Sequence, residues 1–331
     1  RRRFINFLYT CKKFIFALCF FSFVSKIVSF ADSKNCKSPW NIAIINRKLM
    51  KNCLIVINTH KKESHITGQL IANYLSKKGI ESSFFCFDGF SSENPFYGYD
   101  FVVTLGGDGT VLFAARGCVD LEIPIFPVNF GEFGFIASVQ QNEWESLLND
   151  FLEGAIPIEQ RSMLRADVFS VENNTSCFSS LGLNDVVICA KTAARTICLN
   201  IAYNGTSLGD FKADGIIVST STGSTAYSAS AGGPIIDSKL DALVLTPINS
   251  FSLSSRPLVL SPTGEIEITI LPSRETDVII TVDGQKPYDL KQGYKIKIKQ
   301  IEKKVKLVGC TTEKFYDALC SKLNWSGGPH A

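Results

Sequence analysis

The sequence predicts an α/β layer followed by a mostly antiparallel β domain. Three observations carry that expectation. Short continuous apolar runs, Leu54-Ile55-Val56-Ile57 and Phe101-Val102-Val103 among them, are the mark of strands buried on both faces. Segments with helical apolar spacing separate these runs up to about residue 156. Beyond it, alternating and β-branched runs follow one another with Gly, Asn, Pro and Ser between them, as in antiparallel sheets. A chain of 331 residues has the length for two ordinary domains.

The first strand is expected at Leu54-Ile55-Val56-Ile57-Asn58, just after Met50. Ser64 then caps a helix that ends at Gly79, with Ile66, Leu70 and Tyr74, beside Ile71 and Leu75, on its apolar face. Phe84-Phe85-Cys86-Phe87 reads as a second strand, and 88–99 as a Gly/Ser/Pro-rich loop. The third strand starts at Phe101 and turns through Gly106-Gly107-Asp108-Gly109-Thr110 into a helix over 111–116, closed by Gly117. Pro124-Ile125-Phe126-Pro127-Val128 is a further strand, leading into Asn129-Phe130-Gly131-Glu132-Phe133-Gly134-Phe135. Trp144, Leu147, Leu148, Phe151 and Leu152 form a helical stripe. This order suits an α/β layer with parallel pairing. Strands then follow at 165–171, 185–189, 196–203, 216–220, 265–271, 278–282 and 294–298. The last segment, 313–323, is an amphipathic helix with Phe315, Leu319 and Leu323 on one face, expected to pack back on the first layer. No internal repeat is evident.

Charge and cysteine usage narrow the function. Residues 1–49 hold ten of the 34 Lys and Arg and one of the 31 Asp and Glu, so the remainder is net −6 although the whole chain is +3. An acidic body without a basic block speaks against nucleic acid as a partner. The eleven cysteines form no C-x-x-C pair, which argues against zinc and thioredoxin-like redox sites. Several lie in apolar runs, as in Val187-Ile188-Cys189, which fits a reducing, cytoplasmic setting. None of His60, His65 and His330 lies near a Ser or Cys nucleophile in sequence, so a catalytic triad has no support. Arg1-Arg2-Arg3 with the apolar run 14–24 resembles a secretory signal, and that run is too short to span a bilayer comfortably. Because Met50 abuts the first strand, residues 1–49 are expected to be a non-native or targeting extension, and no membrane is expected as a partner.

The densest chemistry lies where the third strand meets its helix. Glycines there bare backbone N–H groups beside the positive end of a helix, a ready phosphate site. Asp108 is the odd member, because a carboxylate repels phosphate. Either a metal ion lies between them, or Asp108 faces a hydroxyl about to receive a phosphoryl group. The bland alternative is a glycine turn in which Asp108 caps the helix. A second constellation runs from Lys212 and Asp214-Gly215, through an apolar strand and a run of hydroxyls and glycines, to Gly232-Gly233-Pro234. Hydroxyls and bare amides suit a ligand of hydroxyls, amides and phosphates, and Tyr227 offers a flat face for a base. The alternative is an ordinary Ser/Thr-rich loop. Asn184-Asp185 stands at the mouth of an apolar strand, where it could read a pair of ribose hydroxyls or simply make a turn. No G-x-x-x-x-G-K-[S/T] stretch occurs, which excludes a P-loop kinase.

Gly106-Gly107-Asp108-Gly109-Thr110, Asn129-x-Gly-x-x-Gly134-Phe135, Asn184-Asp185, Asp214-Gly215, Thr222-Gly223-Ser224-Thr225-Ala226-Tyr227, Gly232-Gly233-Pro234, Ser255-Arg256-Pro257-Leu258 and Val282-Asp283-Gly284-Gln285 together resemble the NAD kinase family, in the family's order. The likeness runs from about Met50 to Leu323. The first motif is shared with lipid kinases and phosphofructokinases; the series as a whole is specific. The resemblance implies a Rossmann-like α/β domain over 50–155, a mostly antiparallel β-sandwich domain that binds NAD over 156–305, and a helix within 306–331 returning to the first domain. It implies transfer of phosphate from ATP to the adenosine-ribose 2′-hydroxyl of NAD, giving NADP. The family works as homodimers or homotetramers and needs a divalent metal, usually Mg²⁺ with ATP.

By that resemblance Asp108 matches the family's proton acceptor. Gly106, Gly107, Gly109, Thr110 and Asn129 match positions of the dinucleotide site. Asn184 and Asp185 match the pair that holds the dinucleotide. Arg195 and Lys212 match basic positions near NAD, and Asp214 a carboxylate on the nicotinamide side. Thr222 and the loop of Thr225, Ala226, Tyr227, Ser228, Ala229 and Ser230 match the adenine and ribose contacts, and Gln285 a further one. The chain departs from the pattern at Asp185, where Glu is usual, at Ser221, where Pro is usual, and at Lys212, which replaces a common Arg and loses its fork of donors. A lipid kinase and a catalytically silent dinucleotide sensor are the competing readings. The hydroxyl loop argues for a dinucleotide acceptor, and the intact Asp108 for turnover. A carboxylate of ordinary pKa, about 3.9, is a weak base toward a ribose hydroxyl, so Asp108 is expected to orient the hydroxyl and take its proton late.

A chain beginning at Met50 is expected to be folded, soluble and fully active. Aggregation of that shorter chain, beside a soluble and active full-length chain, would show that residues 1–49 belong to the working protein.

Overall fold

Among the described residues, three six-stranded sheets organise the chain. The structure is a computed structural model that describes residues 50–323 apart from 92, 132, 133, 172–174, 253, 275 and 276. The amino-terminal extension 1–49 and the end of the final segment, 324–331, lie outside the described residues.

The first sheet has the order β2 (Glu81–Phe87), β1 (Asn52–Asn58), β3 (Phe101–Gly106), β4 (Ile125–Asn129), β18 (Val305–Val308) and β5 (Ile158–Arg161). Its neighbours pair in parallel except β18 with β5. β3 is buried along its whole length and β1 along its five central residues, which is why both read as unbroken apolar runs. Alternate side chains of β1 serve opposite faces. Leu54 and Val56 pack with α2 (Asp108–Cys118), whereas Cys53, Ile55 and Ile57 pack with α1 (Lys62–Lys77) and α3 (Trp144–Leu152). The last helix, α4 (Thr312–Leu323), returns to this layer. Its Phe315 is buried with its ring 5.9 Å from that of Phe135, and Lys314 Nζ donates to the Ser138 carbonyl at 2.9 Å.

Local details differ from the sequence expectations. Ser64 sits inside α1 rather than at its cap, which is Lys61; its hydroxyl donates to the carbonyls of Asn58 and Lys61. The buried face of α1 is Ser64, Gly68, Ile71, Ala72 and Leu75, leaving Ile66 and Leu70 exposed. Gly68 sets that face, because Ile57, Leu105 and Phe84 crowd the place where a side chain would stand. Helix α2 does not stop at Gly117. The Phe96 ring occupies the space a side chain would need there, so this glycine marks a close approach rather than a helix end.

Two antiparallel sheets make the second layer. One has the order β10 (Thr206–Ala213), β9 (Ile197–Tyr203), β14 (Glu265–Ile270), β17 (Lys295–Gln300), β6 (Leu164–Phe169) and β7 (Ser176–Gly182). The other has β13 (Leu258–Leu260), β12 (Leu243–Ile248), β11 (Gly215–Thr220), β8 (Asp185–Ala190), β15 (Val278–Val282) and β16 (Tyr288–Leu290). One continuous core takes side chains from both, including Leu199, Ile268 and Ile296 from the first and Ile188, Val218, Leu245 and Ile280 from the second. This is a β-sandwich. In β14 the isoleucines point inward, while Glu265 and Glu267 point outward and pair with Lys297 and Lys295 at 3.3 Å. Arg161 of β5 ties the layers together from a buried position, donating to the carbonyls of Ser238 at 2.8 Å and Cys310 at 2.9 Å.

Candidate functional site

Strand β3 delivers its last residue, Gly106, directly under the start of α2. Gly107 is the helix cap, in extended conformation, and no side chain bonds to the helix end. Asp108 is therefore not the cap. Its carboxylate turns toward the neighbouring 134–137 loop, where Oδ1 accepts the Ala137 N–H at 3.0 Å. A methyl group at Gly134 would collide with that same oxygen, and one at Gly106 with the Thr110 hydroxyl. Neither glycine has a positive φ. They are needed for side-chain room, not for a left-handed backbone. Asn58 Nδ2 donates to Thr110 Oγ1 at 3.3 Å and fixes this first turn.

Across from Asp108 lies the turn into β8. One carboxylate, Asp283, gathers its backbone: Oδ2 accepts the Leu183 N–H at 2.8 Å, and Oδ1 accepts those of Asn184 at 2.7 Å and Asp185 at 3.2 Å. Arg116 Nη1 of α2 reaches Asp283 Oδ2 at 3.4 Å. Burial pushes the Asp283 carboxyl up, against the three N–H groups and the Arg116 charge that hold it down. Asp185 is 5 % exposed. Burial, and then the nearby Asp283 charge, push its carboxyl up to about 7, although the Tyr227 N–H bonds to it and opposes the shift.

The hydroxyl loop folds onto the same turn as two short helical pieces, Thr222–Thr225 and Tyr227–Ser230. Most of its hydroxyls are engaged internally. Thr220 Oγ1 donates to the Leu183 carbonyl at 2.6 Å and accepts the Gly223 N–H at 3.0 Å. Ser224 Oγ donates to the Ser221 carbonyl at 2.7 Å, and Ser228 and Thr246 share a bond of 2.9 Å. Gly223 lies against the Asn184 backbone with no room for a side chain.

Asp108, Asn184, Thr222, Thr225 and Ala226 line one cleft of about 690 Å³, together with Phe135, Ile136, Ser321, Lys322 and Leu323. Asp185 lies beneath Asn184, buried. Tyr227 is 48 % exposed at the loop's edge, with Ser228 buried below it and Ala229 and Ser230 following in the same turn. Asn129 is buried at the end of β4, and its N–H donates to the Val139 carbonyl. Gln285 follows the Asp283 turn, its N–H on the Val282 carbonyl at 3.0 Å. Lys212, Asp214 and Arg195 fall elsewhere. Ser219 pairs with Asp185 at one end of β11, and Asp214 precedes the other end, about 17 Å away at strand rise. There Asp214 accepts Asn249 Nδ2 at 3.0 Å, Lys212 Nζ sits 4.9 Å above the Phe251 ring, and Arg195 is exposed in the turn before β9. Sequence reasoning did not single out Arg116, nor the cleft residues of α4. Residues distant in the chain meet there only through the fold, so no local pattern marks them.

An α/β layer and a β-sandwich meet at this cleft, and among the described residues Asp108 is the one carboxylate that lines it. Known proteins narrow this. Residues 92–156 match the ATP-NAD kinase N-terminal domain, and residues 183–310 the ATP-NAD kinase C-terminal domain. The chain is 46 % identical to the NAD kinase of Treponema denticola over 279 residues, 84 % of this chain and 98 % of that protein. It is 39 % identical to the NAD kinase of Treponema pallidum over 83 % of this chain and 90 % of that one. Among solved structures, an NAD kinase from Archaeoglobus fulgidus in complex with ATP aligns with a TM-score of 0.65 and 27 % identity, covering 83 % of this chain and 99 % of that one. A yeast NADH kinase complexed with NADH has the same fold, with a TM-score of 0.73 at 22 % identity over 86 % and 89 % of the two chains. The chain belongs to the NAD kinase family.

The raised Asp185 carboxyl makes stability depend on pH. Its ordinary value is 3.8, and in the fold it keeps its proton up to about 7. Between these values the folded chain holds a proton that the unfolded chain has released. This group's contribution is therefore full below pH 3.8 and is lost as pH rises through about 7. Asp185→Asn cannot ionise, so its melting temperature relative to wild type should climb from about pH 5 to about pH 8. A flat or falling difference across that range would show Asp185 to be ionised throughout.

Proposed function

We propose that this protein is an NAD kinase, transferring phosphate from ATP to the adenosine-ribose 2′-hydroxyl of NAD to give NADP. The observation that carries the reading is the cleft in which Asp108 faces Asn184 and the Thr222–Thr225 loop. In-line phosphoryl transfer needs an acceptor hydroxyl held still and charge neutralised around the transferred group. Asn184 and Asp185 hold the dinucleotide ribose, the loop from Thr222 to Ser230 holds the adenosine, and Asp108 orients the 2′-hydroxyl. Its second oxygen is the one for that task, since Oδ1 is engaged by Ala137. The proton passes to Asp108 as the bond from the ribose oxygen to the γ-phosphorus forms and the bond from that phosphorus to the departing ADP oxygen breaks. Gly106, Gly107, Gly109 and Thr110 bring backbone donors to the phosphates at the α2 end. Arg195, Lys212 and Asp214 belong to the far reach of an extended dinucleotide, and Gln285 is a further dinucleotide contact beside the Asp283 turn.

The divalent metal comes as the ATP complex. Among the described residues no cluster of three or more metal-ligating side chains exists. The cleft offers one carboxylate with threonine hydroxyls, which fits Mg²⁺ bound mainly through substrate phosphates and water. Such an ion neutralises phosphate charge. The protein works as a homodimer or homotetramer in the cytoplasm. The described cysteines are all free thiols, which fits a reducing compartment.

Asp108→Asn should retain the fold and NAD binding and lose turnover by roughly 10²–10⁴-fold. Steady-state rates with MgATP and NAD, beside NAD titration calorimetry, check this. A variant keeping about a third of the wild-type rate would remove Asp108 from the chemistry.

A further inference from the structure

The Asp283 carboxylate makes contacts that the proposed reaction does not use. It accepts three consecutive backbone N–H groups, from residues 183 to 185, and it also meets Arg116. Its side chain is wholly buried, and that of Arg116 is 17 % exposed. Asp283 itself stands at φ 50, followed by Gly284 at φ 64. That is a tight hairpin turn closed by the Gln285 N–H on the Val282 carbonyl. Asp-Gly is a favoured pair for such a turn, because Asp enters the left-handed region more readily than most residues, and here the turn also aims the Asp283 carboxylate at the 183–185 backbone.

Arg116 and Asp108 share one helix, two turns apart. Asn184 and Asp185 share the turn that Asp283 gathers. The pair therefore joins the helix that carries Asp108 to the turn that carries Asn184, across the cleft both residues line. We propose that Arg116 and Asp283 are positioning residues that set the distance between Asp108 and the dinucleotide held at Asn184. This rests on the proposed NAD kinase activity. Neither residue lines the cleft, so neither touches the reacting atoms. Arg116 is suited to the role because its rigid guanidinium keeps its charge in a partly buried place. Loss of the pair leaves the α2 helix and the β8 turn each folded but free to shift, and a shift of about 1 Å at a reacting centre costs on the order of 10²-fold in rate.

The test is Arg116→Met, with Arg116→Lys as the conservative variant and Leu148→Ala as a control of similar or greater thermal destabilisation, remote in α3. Asp283→Asn is a less secure variant, because it can disturb the turn itself. Arg116→Met should lower kcat at saturating MgATP and NAD by at least about tenfold. Its dissociation constant for NAD should stay within about threefold, Arg116→Lys should recover part of the rate, and Leu148→Ala should keep its rate when assayed well below its melting temperature. A kcat within about twofold of wild type in folded Arg116→Met overturns the proposal. So does a loss of rate that Leu148→Ala reproduces. Amide hydrogen exchange gives a readout apart from turnover: Arg116→Met should exchange the Asn184 and Asp185 amides at least about tenfold faster, with the β14 and β17 amides unchanged. If wild-type protein fails to phosphorylate NAD, the proposed function falls, and the exchange measurement still decides whether Arg116 holds the turn. Unchanged exchange at these two amides overturns the coupling.

Discussion

Asp108 keeps its place through one hydrogen bond and one missing side chain. The Ala137 N–H holds Oδ1 at 3.0 Å, and Gly134 leaves the room that oxygen occupies. The rest of the site depends on this. A carboxylate at the start of a helix is drawn to the helix's own N–H groups, and here a loop from the other side of β4 takes it instead. Gly107 caps the helix and leaves the carboxylate facing the cleft. The buried α/β layer makes that arrangement rigid, since β3 is enclosed along its full length by helices and neighbouring strands.

The opposite wall is built on costly electrostatics. Asp185 and Asp283 are buried close to one another, and burial raises both. Two like charges in a low-dielectric site are unfavourable unless bonded donors surround them. Three backbone N–H groups and Arg116 do so for Asp283, and the Tyr227 N–H does so for Asp185. The result is a turn fixed in register with both the sandwich and α2. Gly223 lets the hydroxyl loop lie directly on it. Many of that loop's hydroxyls satisfy its own backbone, so they shape the cleft wall as much as they offer contacts to a ligand.

Much of the fold was legible because burial writes itself into the sequence. The strands enclosed on both faces, β1, β3 and β4, are continuous apolar runs, and inward isoleucines alternate with outward charges in β14. The edge strands β7, β10 and β13 lacked such a signal. They are polar or short, with one face in water. Asn204-Gly205, at φ 49 and 75, was a readable hairpin signal that locates β10. At the site, Asp108 and the glycine pattern were visible because an unusual residue type stood in a phosphate-like turn. The reasons behind those glycines were not, since the clashes they avoid come from Asp108, Phe96 and Asn184 through space. The link from Arg116 to Asp283 spans 167 residues, and no local period reports it.

Asp108 must be held, not merely present, and Gly134→Ala tests that most directly. The added methyl meets Asp108 Oδ1 and the Ala137 carbonyl, so it drives the carboxylate away from the Ala137 amide while no residue of the opposite wall is replaced. Turnover with MgATP and NAD, measured beside NAD affinity and melting temperature, should fall by roughly 10²-fold with affinity and melting nearly preserved. A Gly134→Ala protein that folds and turns over at the wild-type rate would contradict the account.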